Sequence, residues 1–479
     1  MAQNSELFLP SEFMTRHCLG IAATGGGKSN FLNLILKQQM MRGGGVIHID
    51  GKNNKDAIRE FLTLARQHNR WHDVRIINID DASLSNTYNP LLRGDAEEIT
   101  TRIMLLIGSG GKDSFFRSQA SKAVGAIIGV MKAIHKPFNF SDLNAIFSSE
   151  GALRWLLREG PKGTEEYNKF KIFFDQLLEV DKRTGAPIIN QKTFQHTFGD
   201  LTGKIAAYDR GTAGQVLNAY NPEVDLLQAI KENLLVYVAL PTLSKAEVST
   251  DFAKIFLSDI RTAVGQLQNI PAVERPNPTF LMLMDEFSSY AMPTLAPLFE
   301  QARSANVCLF PFIQTISSLS DKDRGLGIDF AQKIIGNTWN KLSFVLKDPE
   351  SSKQMSEIAG QALKEFVSQS YSENIGFASG DQDASMLRTT NRGRGYSKST
   401  RVEYDAIARP EDFANLKVGE GIYIGPDGVY KVKIPRVFLK QDEGEIDFPR
   451  FRMPPVMGLG LHEKYHQFSL TGGVSVEGK

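Results

Sequence analysis

Residues 22–29, which read AATGGGKS, restrict the possible folds of this chain more than any other segment. The apolar run HCLGIA at 17–22 precedes the glycines, and apolar residues at helical spacing follow them from Ser29 to Met41. The order strand, glycine-rich turn and helix is typical of the phosphate-binding loop G-x-x-x-x-G-K-[ST], in which glycines leave backbone N–H groups open to phosphate oxygens. The segment therefore predicts a nucleotide-phosphate site at the start of a helix.

Each position of this loop has an expected contact. Lys28 would reach the β- and γ-phosphates of ATP and Ser29 would bind Mg²⁺, while the start of the helix presents its positive dipole end to the anion. Ala22 replaces the first glycine of the pattern, which costs little if φ stays negative there. A glycine-rich turn without a ligand is the alternative. The residues expected to contact the nucleotide are Thr24, Gly25, Gly26, Gly27, Lys28, Ser29 and Asn30.

An acidic pair is a candidate for the metal-binding and catalytic part of the same nucleotide site. The segment FLMLMDEF at 280–287 is an apolar strand that ends in Asp285 and Glu286. Asp285, expected on the strand next to the phosphate-binding strand, would hold Mg²⁺ through water, and Glu286 would polarise the attacking water. A buried strand that ends in an acidic turn is the alternative interpretation.

Two further polar side chains are candidates for the catalytic set. Gln314 ends the strand VCLFPFIQT at 307–315, where an amide could sense the γ-phosphate or orient water, or merely cap the strand. Arg303, eleven residues earlier, is a candidate arginine finger that reaches the site of a neighbouring subunit. A solvated arginine or a surface salt bridge is the alternative for Arg303.

The order of predicted elements indicates an α/β fold. Strand-like and helix-like segments alternate at both ends of the chain, which favours a mostly parallel sheet flanked by helices. Residues 137–222 show helical periodicity and no convincing strand. The expected domains are a nucleotide-binding domain in two parts, 1–136 and 223–440, an all-helical inserted domain, 137–222, and a C-terminal tail, 441–479.

Composition narrows the partners and the compartment. The formal net charge of +1 gives no overall attraction to nucleic acid or anionic membrane, so a DNA-handling surface would have to be local. Cys18 and Cys308 lack the spacing of a zinc site or a disulfide framework, which fits a reducing compartment. No signal peptide or apolar stretch of about 20 residues is present in the sequence, so we expect a soluble, cytoplasmic chain.

The best local candidate for a DNA contact is the segment RTTNRGRGYSKSTR at 388–401. It lies in a polar, glycine-rich region, 370–402, that the sequence predicts to be a long mobile loop or a hairpin. A solvated loop without a ligand is the alternative, and Lys204 and Arg210 in the insertion are weaker candidates of the same kind. The segment contains Arg388, Arg392, Arg394, Lys398, Arg401 and, as a possible stacking ring, Tyr396, with no acidic residue.

The motifs in this order resemble the type IV coupling proteins of the TraG/TraD kind, the ATPases of conjugation and related type IV secretion systems. The resemblance runs from about residue 6 to 435 and looks closest to coupling ATPases of the Dot/Icm and IncI-plasmid type. Asp50 and Lys52 match a family motif on the second strand, and Asn89-Pro90 matches another. The strings that carry the resemblance are AATGGGKS, HIDGKNNK, SNTYNPLL, LMLMDEF, EQARSANVCLFPFIQT and IIGNTWNKLSFVLKDPE.

The resemblance implies a RecA-like P-loop motor that forms a homo-hexameric ring around a channel. It implies Lys28 and Ser29 as the P-loop pair, Asp285 and Glu286 as the Walker B pair, and catalytic roles for Arg303 and Gln314. The expected partners are DNA, single-stranded within a relaxase complex, secreted proteins and components of the type IV secretion channel. The expected location is the inner face of the cell membrane.

Two alternatives to this function remain at the level of sequence. One is a soluble ring translocase or helicase of the HerA/FtsK kind that acts on duplex DNA without a secretion apparatus. The other is a docking platform with negligible hydrolysis, against which the intact Lys28, Asp285 and Glu286 speak. The family also carries transmembrane helices ahead of the P-loop, where this sequence has about 20 residues, so the chain reads as a naturally soluble member or a cytoplasmic part.

Overall fold

The computed structural model describes residues 6–107, 114–376, 391–439 and 444–464. Nine strands within these ranges form one large sheet, and two two-stranded ribbons stand apart from it. The strands are β1 (Cys18–Ile21), β2 (Val46–Asp50), β3 (Val74–Asn78), β4 (Leu178–Val180), β5 (Pro187–Ile189), β6 (Leu235–Ala239), β7 (Phe280–Met284), β8 (Val307–Ile313), β9 (Asn340–Ser343), β10 (Gln361–Gly376), β11 (Asn391–Ala406), β12 (Glu420–Gly425) and β13 (Gly428–Lys433).

The helices fall into two groups, those that flank the large sheet and those of the insertion between β3 and β6. In chain order they are α1 (Ser11–Met14), α2 (Lys28–Met41), α3 (Lys55–Gln67), α4 (Ala96–Met104), α5 (Ser114–Ala133), α6 (Phe140–Ser148), α7 (Glu150–Glu159), α8 (Glu165–Gln176), α9 (Gln191–Asp209), α10 (Gly211–Leu217), α11 (Leu226–Lys231), α12 (Ala246–Gln268), α13 (Ala296–Gln301), α14 (Ile328–Asn337), α15 (Pro349–Ala359) and α16 (Pro410–Ala414).

The large sheet has the order β13-β12-β9-β1-β8-β7-β2-β6-β3. The seven strands from β9 to β3 pair in parallel, and β12 and β13 add an antiparallel edge. All residues of these parallel strands except Arg75 are buried, because helices cover both faces. In β2, Ile47 and Ile49 belong to the core on the face of α12, while Val46 belongs to the core on the face of α2 and α3. The predicted α/β fold is confirmed.

The helical insertion is joined to the sheet through the segment SNTYNPLL at 85–92. The hydroxyl of Tyr88 donates a hydrogen bond of 2.6 Å to Asp259 on α12, in the buried core. The amide of Asn89 donates to the carbonyl of Phe138, at 2.9 Å, just ahead of α6. This motif, which contributed to the family resemblance, therefore connects the nucleotide-binding sheet to the inserted helices.

The sequence predicts an all-helical insertion, but the structure also contains a short hairpin there. Strands β4 and β5 form a short antiparallel hairpin within 137–222. Asp181 makes the turn, since its carboxylate accepts hydrogen bonds from the N–H of Arg183 and the hydroxyl of Thr184. Three residues per strand are too few for a period of two to stand out from the helical pattern around them.

The segment 444–464, predicted to be part of a C-terminal tail, is packed against the rest of the molecule. Phe448, Leu459 and Leu461 are buried, and the guanidinium of Arg75 at the β3 edge lies 3.6 Å from the ring centre of Phe451. Prolines separate these apolar residues, so they lack the periodicity from which a packed segment is recognised. Residues 465–479 lie outside the described residues.

The region 370–402 contains the hairpin that the sequence offered as one of two possibilities. Strands β10 and β11 pair without interruption from Gln361 opposite Ala406 to Gly376 opposite Asn391. Arg388, the first basic residue of the predicted contact segment, lies outside the described residues. Among the helices that the structure describes, none is both long enough and apolar enough to cross a membrane.

Candidate nucleotide site

The phosphate-binding loop joins the buried strand β1 to the first turn of α2. Gly25 has a φ of 78° and Gly27 a φ of 99°, a left-handed conformation that a side chain disfavours. A Cβ on Gly27 would also lie 3.1 Å from the backbone nitrogen of Gly419, so this position has little room for a side chain. Helix α2 begins directly after Gly27, and its free N–H groups face the loop. This cradle fits a phosphate group.

Ala22 is compatible with the geometry of the loop. It is not among the described residues with a positive φ, and its N–H donates a hydrogen bond of 3.1 Å to the carbonyl of Ile313 on β8. Its methyl group is 1% exposed and packs in the core. Alanine in place of the first glycine therefore imposes no strain on the backbone.

The acidic pair lies opposite the loop lysine. Lys28 Nζ is 2.5 Å from Oδ1 of Asp285 and 3.3 Å from Oε1 of Glu286. The sequence-based expectation that Asp285 follows the strand next to β1 is wrong, because β8 lies between β1 and β7. Gln314, at the end of β8, therefore sits between the two halves of the site, and its amide donates a hydrogen bond of 2.9 Å to Oε2 of Glu286.

The backbone at the acidic pair is held in an unusual conformation. Glu286 has a φ of 52°, and its N–H donates to the carboxylate of Asp285 at 2.7 Å. The hydroxyl of the buried Tyr290 donates to the carbonyl of Asp285, also at 2.7 Å. A non-glycine residue in the left-handed region costs of order 1–3 kcal/mol, and such conformations cluster at functional sites. These hydrogen bonds hold the two carboxylates toward Lys28.

The electrostatics of the site keep Lys28 charged. Partial burial favours the neutral amine, but the carboxylates of Asp285 and Glu286 outweigh it and raise the pKa of Lys28. Lys52 adds a second ammonium group, 3.7 Å from Oε1 of Glu286. The role of Asp50, left open by the sequence, is structural, because its carboxylate accepts the N–H groups of Lys52 and Asn54.

The remaining loop residues divide into two groups. Thr24, Gly25 and Ser29 are exposed at the mouth of the site. The side chain of Asn30 is occupied elsewhere, because it donates to the carbonyl of Pro435 at 2.9 Å and accepts the N–H of Val437 at 2.8 Å. Asn30 thus holds the segment after β13 against α2 instead of directing its amide to a phosphate.

Arg303 is not part of the cluster in its own chain. It is exposed and lies in the short turn Ala302–Ala305, ahead of the first residue of β8, whereas Gln314 follows the last. Seven residues of strand separate the two ends by about 23 Å. The structure therefore brings together Lys28, Asp285, Glu286 and Gln314, and leaves Arg303 at the opposite end of β8.

The donor set fits a nucleotide with Mg²⁺. A hard cation takes oxygen ligands and keeps several waters, and the hydroxyl of Ser29 with the carboxylate of Asp285 supplies such ligands beside the phosphate cradle. In the ranges that the structure describes, no group of three or more His, Cys, Asp or Glu side chains is placed to hold a metal. The sequence did not reveal Tyr290 or the turn at Gly419, because neither belongs to a local motif and only the fold places them here.

The strand order and the site define a RecA-like P-loop NTPase fold, in which a phosphate-binding loop and an acidic strand end meet at the carboxyl ends of the parallel strands. The family described as "TraM recognition site of TraD and TraG" matches residues 279–417. The type 4 coupling protein DotL of Legionella pneumophila subsp. pneumophila is 22% identical over 491 aligned positions. That alignment covers 92% of this chain and 61% of DotL, so the chain spans about three fifths of the relative's length.

Solved structures show the same fold. The unbound bacterial conjugative coupling protein TrwBdeltaN70 matches with a TM-score of 0.57 and 14% identity, over 93% of this chain and 89% of the other. The plasmid coupling protein TrwB in complex with ADP and Mg²⁺ matches with a TM-score of 0.55 and 15% identity, over 91% and 88%. Together these comparisons confirm the resemblance to type IV coupling proteins that the motifs indicate.

Proposed function

We propose that this chain is an ATPase that uses ATP hydrolysis to deliver DNA, as a single strand within a relaxase complex, or protein substrates into a type IV secretion channel. The observation that carries the proposal is the cluster of Lys28, Asp285, Glu286 and Gln314 at the ends of β7 and β8 and the start of α2. The sequence similarity to a coupling protein along nearly the whole chain supports the transport role.

The geometry supports a division of labour during hydrolysis. Lys28 would leave the carboxylates and bind the β- and γ-phosphates, which releases Glu286 to orient and polarise a water molecule. Ser29 and Asp285 would hold Mg²⁺, which supplies charge neutralisation at the phosphates. Gln314 already donates to Glu286, so it would fix the carboxylate and sense the γ-phosphate next to it.

The position of Arg303 supports assembly into a ring. Because Arg303 lies about 23 Å from its own site, at the far end of β8, it could stabilise a transition state only in a neighbouring subunit. We place it in trans in a homo-hexamer of the chain. In this proposal the ring acts at the cytoplasmic face of the membrane, where the secretion channel begins.

Steady-state hydrolysis tests the enzymatic part. We expect the purified protein to hydrolyse ATP in the presence of Mg²⁺, and Lys28→Ala to abolish turnover. Lys37→Ala, which removes an ammonium group from the same helix away from the carboxylates, is the matched control and should leave turnover unchanged. An unmodified protein with no hydrolysis, even with DNA present, would leave only a docking platform.

Binding of the cargo tests the transport part. We expect a relaxase or a secreted protein to bind the helical residues 137–222 without DNA. A chain that hydrolyses ATP and translocates DNA but binds no such protein would instead be a motor of the HerA/FtsK kind.

A further inference from the structure

The ribbon of β10 and β11 has two faces of different chemistry. Successive residues of a strand point to opposite faces, and residues opposite each other in the register share one. In the distal half of the ribbon, residues 368–376 and 391–399, one face carries bulky and charged side chains. The other face carries only serine and glycine between Ser368 and Ser372 and between Gly395 and Ser399. The first face, here called the tyrosine face, consists of the pairs Glu373/Arg394, Tyr371/Tyr396 and Gln369/Lys398.

The two tyrosines of this face are opposite each other and largely in water. Tyr371 is 62% exposed and Tyr396 is 65% exposed. A two-stranded ribbon without a third layer has marginal stability by itself, and aromatic side chains stabilise it only where they are packed. Two exposed rings at directly opposed positions therefore indicate a surface for a ligand instead of a core.

Cations flank the tyrosine pair at regular steps. Arg394, Tyr396 and Lys398 follow one another on the same face at about 7 Å per step. Arg394 lies 3.5 Å from Glu373, but both side chains are exposed, so the pair contributes little and can exchange for another anion. The distal half holds three basic residues, Arg392, Arg394 and Lys398, and one acidic residue, Glu373, in a chain whose formal net charge is +1.

The proximal half of the ribbon has a different character. There Lys364 and Arg409 are engaged with the carboxylate of Asp405, Arg401 is paired with Glu403, and Glu365 adds negative charge. Exposed Tyr404 lies on the same side of the ribbon as the tyrosine face, and there Glu365 is the one charged residue of the proximal half, while Lys364, Glu403 and Asp405 lie on the opposite side. Tyrosines and cations therefore share one face of the described ribbon only in its distal half.

We propose that the tyrosine face binds single-stranded nucleic acid, with unpaired bases stacked on Tyr371 and Tyr396 and phosphates against Arg394 and Lys398. The inference rests on the proposed function as a DNA-handling motor and assigns one of its substrate contacts. Stacking on an aromatic ring requires a free base face, and phosphates at intervals of a few ångströms match cations repeated along a strand. A duplex offers the phosphates but not the base faces, so the single strand is preferred.

Fluorescence anisotropy with a labelled oligodeoxythymidylate tests the assignment on the full chain. We expect the double variant Tyr371→Ala, Tyr396→Ala to weaken binding by roughly tenfold or more. Tyr404→Ala, which removes an equally exposed tyrosine from the proximal half, is the matched control and should bind normally. Lys398→Gln should lower the slope of log K against log salt by about 0.7, the value for one phosphate contact to a single strand. Arg401→Gln removes a cation from the opposite face and should leave that slope nearly unchanged.

Three results would overturn the inference. They are single-strand affinity unchanged in the double variant, equal losses for Tyr404→Ala and Tyr396→Ala, and equal affinity of the unmodified chain for duplex and single strand. A ribbon that instead joins two copies of the chain would show the first result together with a lower mass of the double variant in light scattering. ATP turnover without DNA is measured in the same samples. If the unmodified chain does not hydrolyse ATP but the ribbon variants lose DNA binding, the proposed ATPase is refuted and the ribbon site stands. If turnover is normal but the variants bind DNA as well as the unmodified chain, the ribbon site is refuted and the proposed ATPase stands.

Discussion

His17, the residue before β1, should make the folded state sensitive to acid. It is buried, takes a φ of 59°, and its Nδ1 accepts a hydrogen bond of 3.1 Å from the N–H of Leu309 on β8. Burial lowers the pKa of His17 from 6.5 to about 4; the backbone of Phe299 opposes this shift in part, and the positive charge of Arg303 adds a smaller lowering. A proton on Nδ1 would also face the N–H of Leu309 and remove that hydrogen bond.

The sign and size of the effect follow from this pKa. Above pH 6.5 the imidazole is neutral in both states and contributes no pH dependence. Between pH 6.5 and 4 the unfolded chain binds a proton that the folded chain excludes, so the free energy of unfolding decreases as the pH is lowered. The loss reaches about 2 kcal/mol at pH 5 and about 3 kcal/mol at pH 4 for a folded pKa of about 4. This is a large share of the roughly 5–15 kcal/mol that stabilises a domain.

His17→Asn isolates this contribution. Asparagine tolerates the left-handed φ, and its Oδ1 can accept the N–H of Leu309, but it does not titrate. Loss of the edge-to-face contact with Phe299, at 6.0 Å, should make the variant less stable at pH 7 by about 1 kcal/mol. Urea unfolding followed by tryptophan fluorescence should show this difference closing, and then reversing, as the pH falls to 5. Parallel curves for the two proteins across this range would refute a buried neutral His17.

Three further predictions concern the phosphate-binding loop, Arg303 at the start of β8, and the C-terminal segment 444–464. Ala22→Gly should lower stability by about 1 kcal/mol, because it removes a buried methyl group and frees the backbone, and should not tighten ATP binding in a fluorescent-nucleotide titration. Arg303→Ala should lower ATP turnover while nucleotide affinity stays normal, and unchanged turnover would remove Arg303 from the proposed site. The hydrogen bond to Asp142 raises the pKa of His462, so the contribution of this pair is present below pH 6.5 and is lost as the pH rises through the folded pKa. Proteolysis of 444–464 should therefore be faster at pH 8 than at pH 6, and His462→Gln should remove the difference.

The local parts of the site were predictable from the sequence. The glycines, Lys28 and the start of α2 lie within a few residues of one another, and their order alone encodes a strand, a turn and a helix. Asp285 and Glu286 follow the apolar run of β7 in the same way. Patterns of this kind are short-range, so one sequence is enough to read them.

The long-range parts were not predictable in this way. Nothing in the sequence of β8 states that it lies between β1 and β7, yet this order places Gln314 against Glu286. Asn30 sits in a phosphate-binding motif, but its partners are Pro435 and Val437, about four hundred residues along the chain. Such contacts depend on tertiary packing, which overrides what a motif suggests for a single side chain.

Strand β8 gives the proposed ring a direct connection between two sites. Its far end follows Arg303, which would act on the nucleotide of one neighbour, and its near end carries Gln314, which contacts Glu286 of its own site. The strand is buried along its whole length and pairs with β7 over residues 307–311 and with β1 at Phe312 and Ile313, so in the proposed ring it would transmit a shift from one end to the other. Release of phosphate in one subunit would then alter the position of Glu286 in the next. On this view Arg303→Ala should change the cooperativity of ATP hydrolysis as well as its rate, because it removes one end of that connection. A variant with lower turnover but an unchanged Hill coefficient would restrict Arg303 to charge stabilisation.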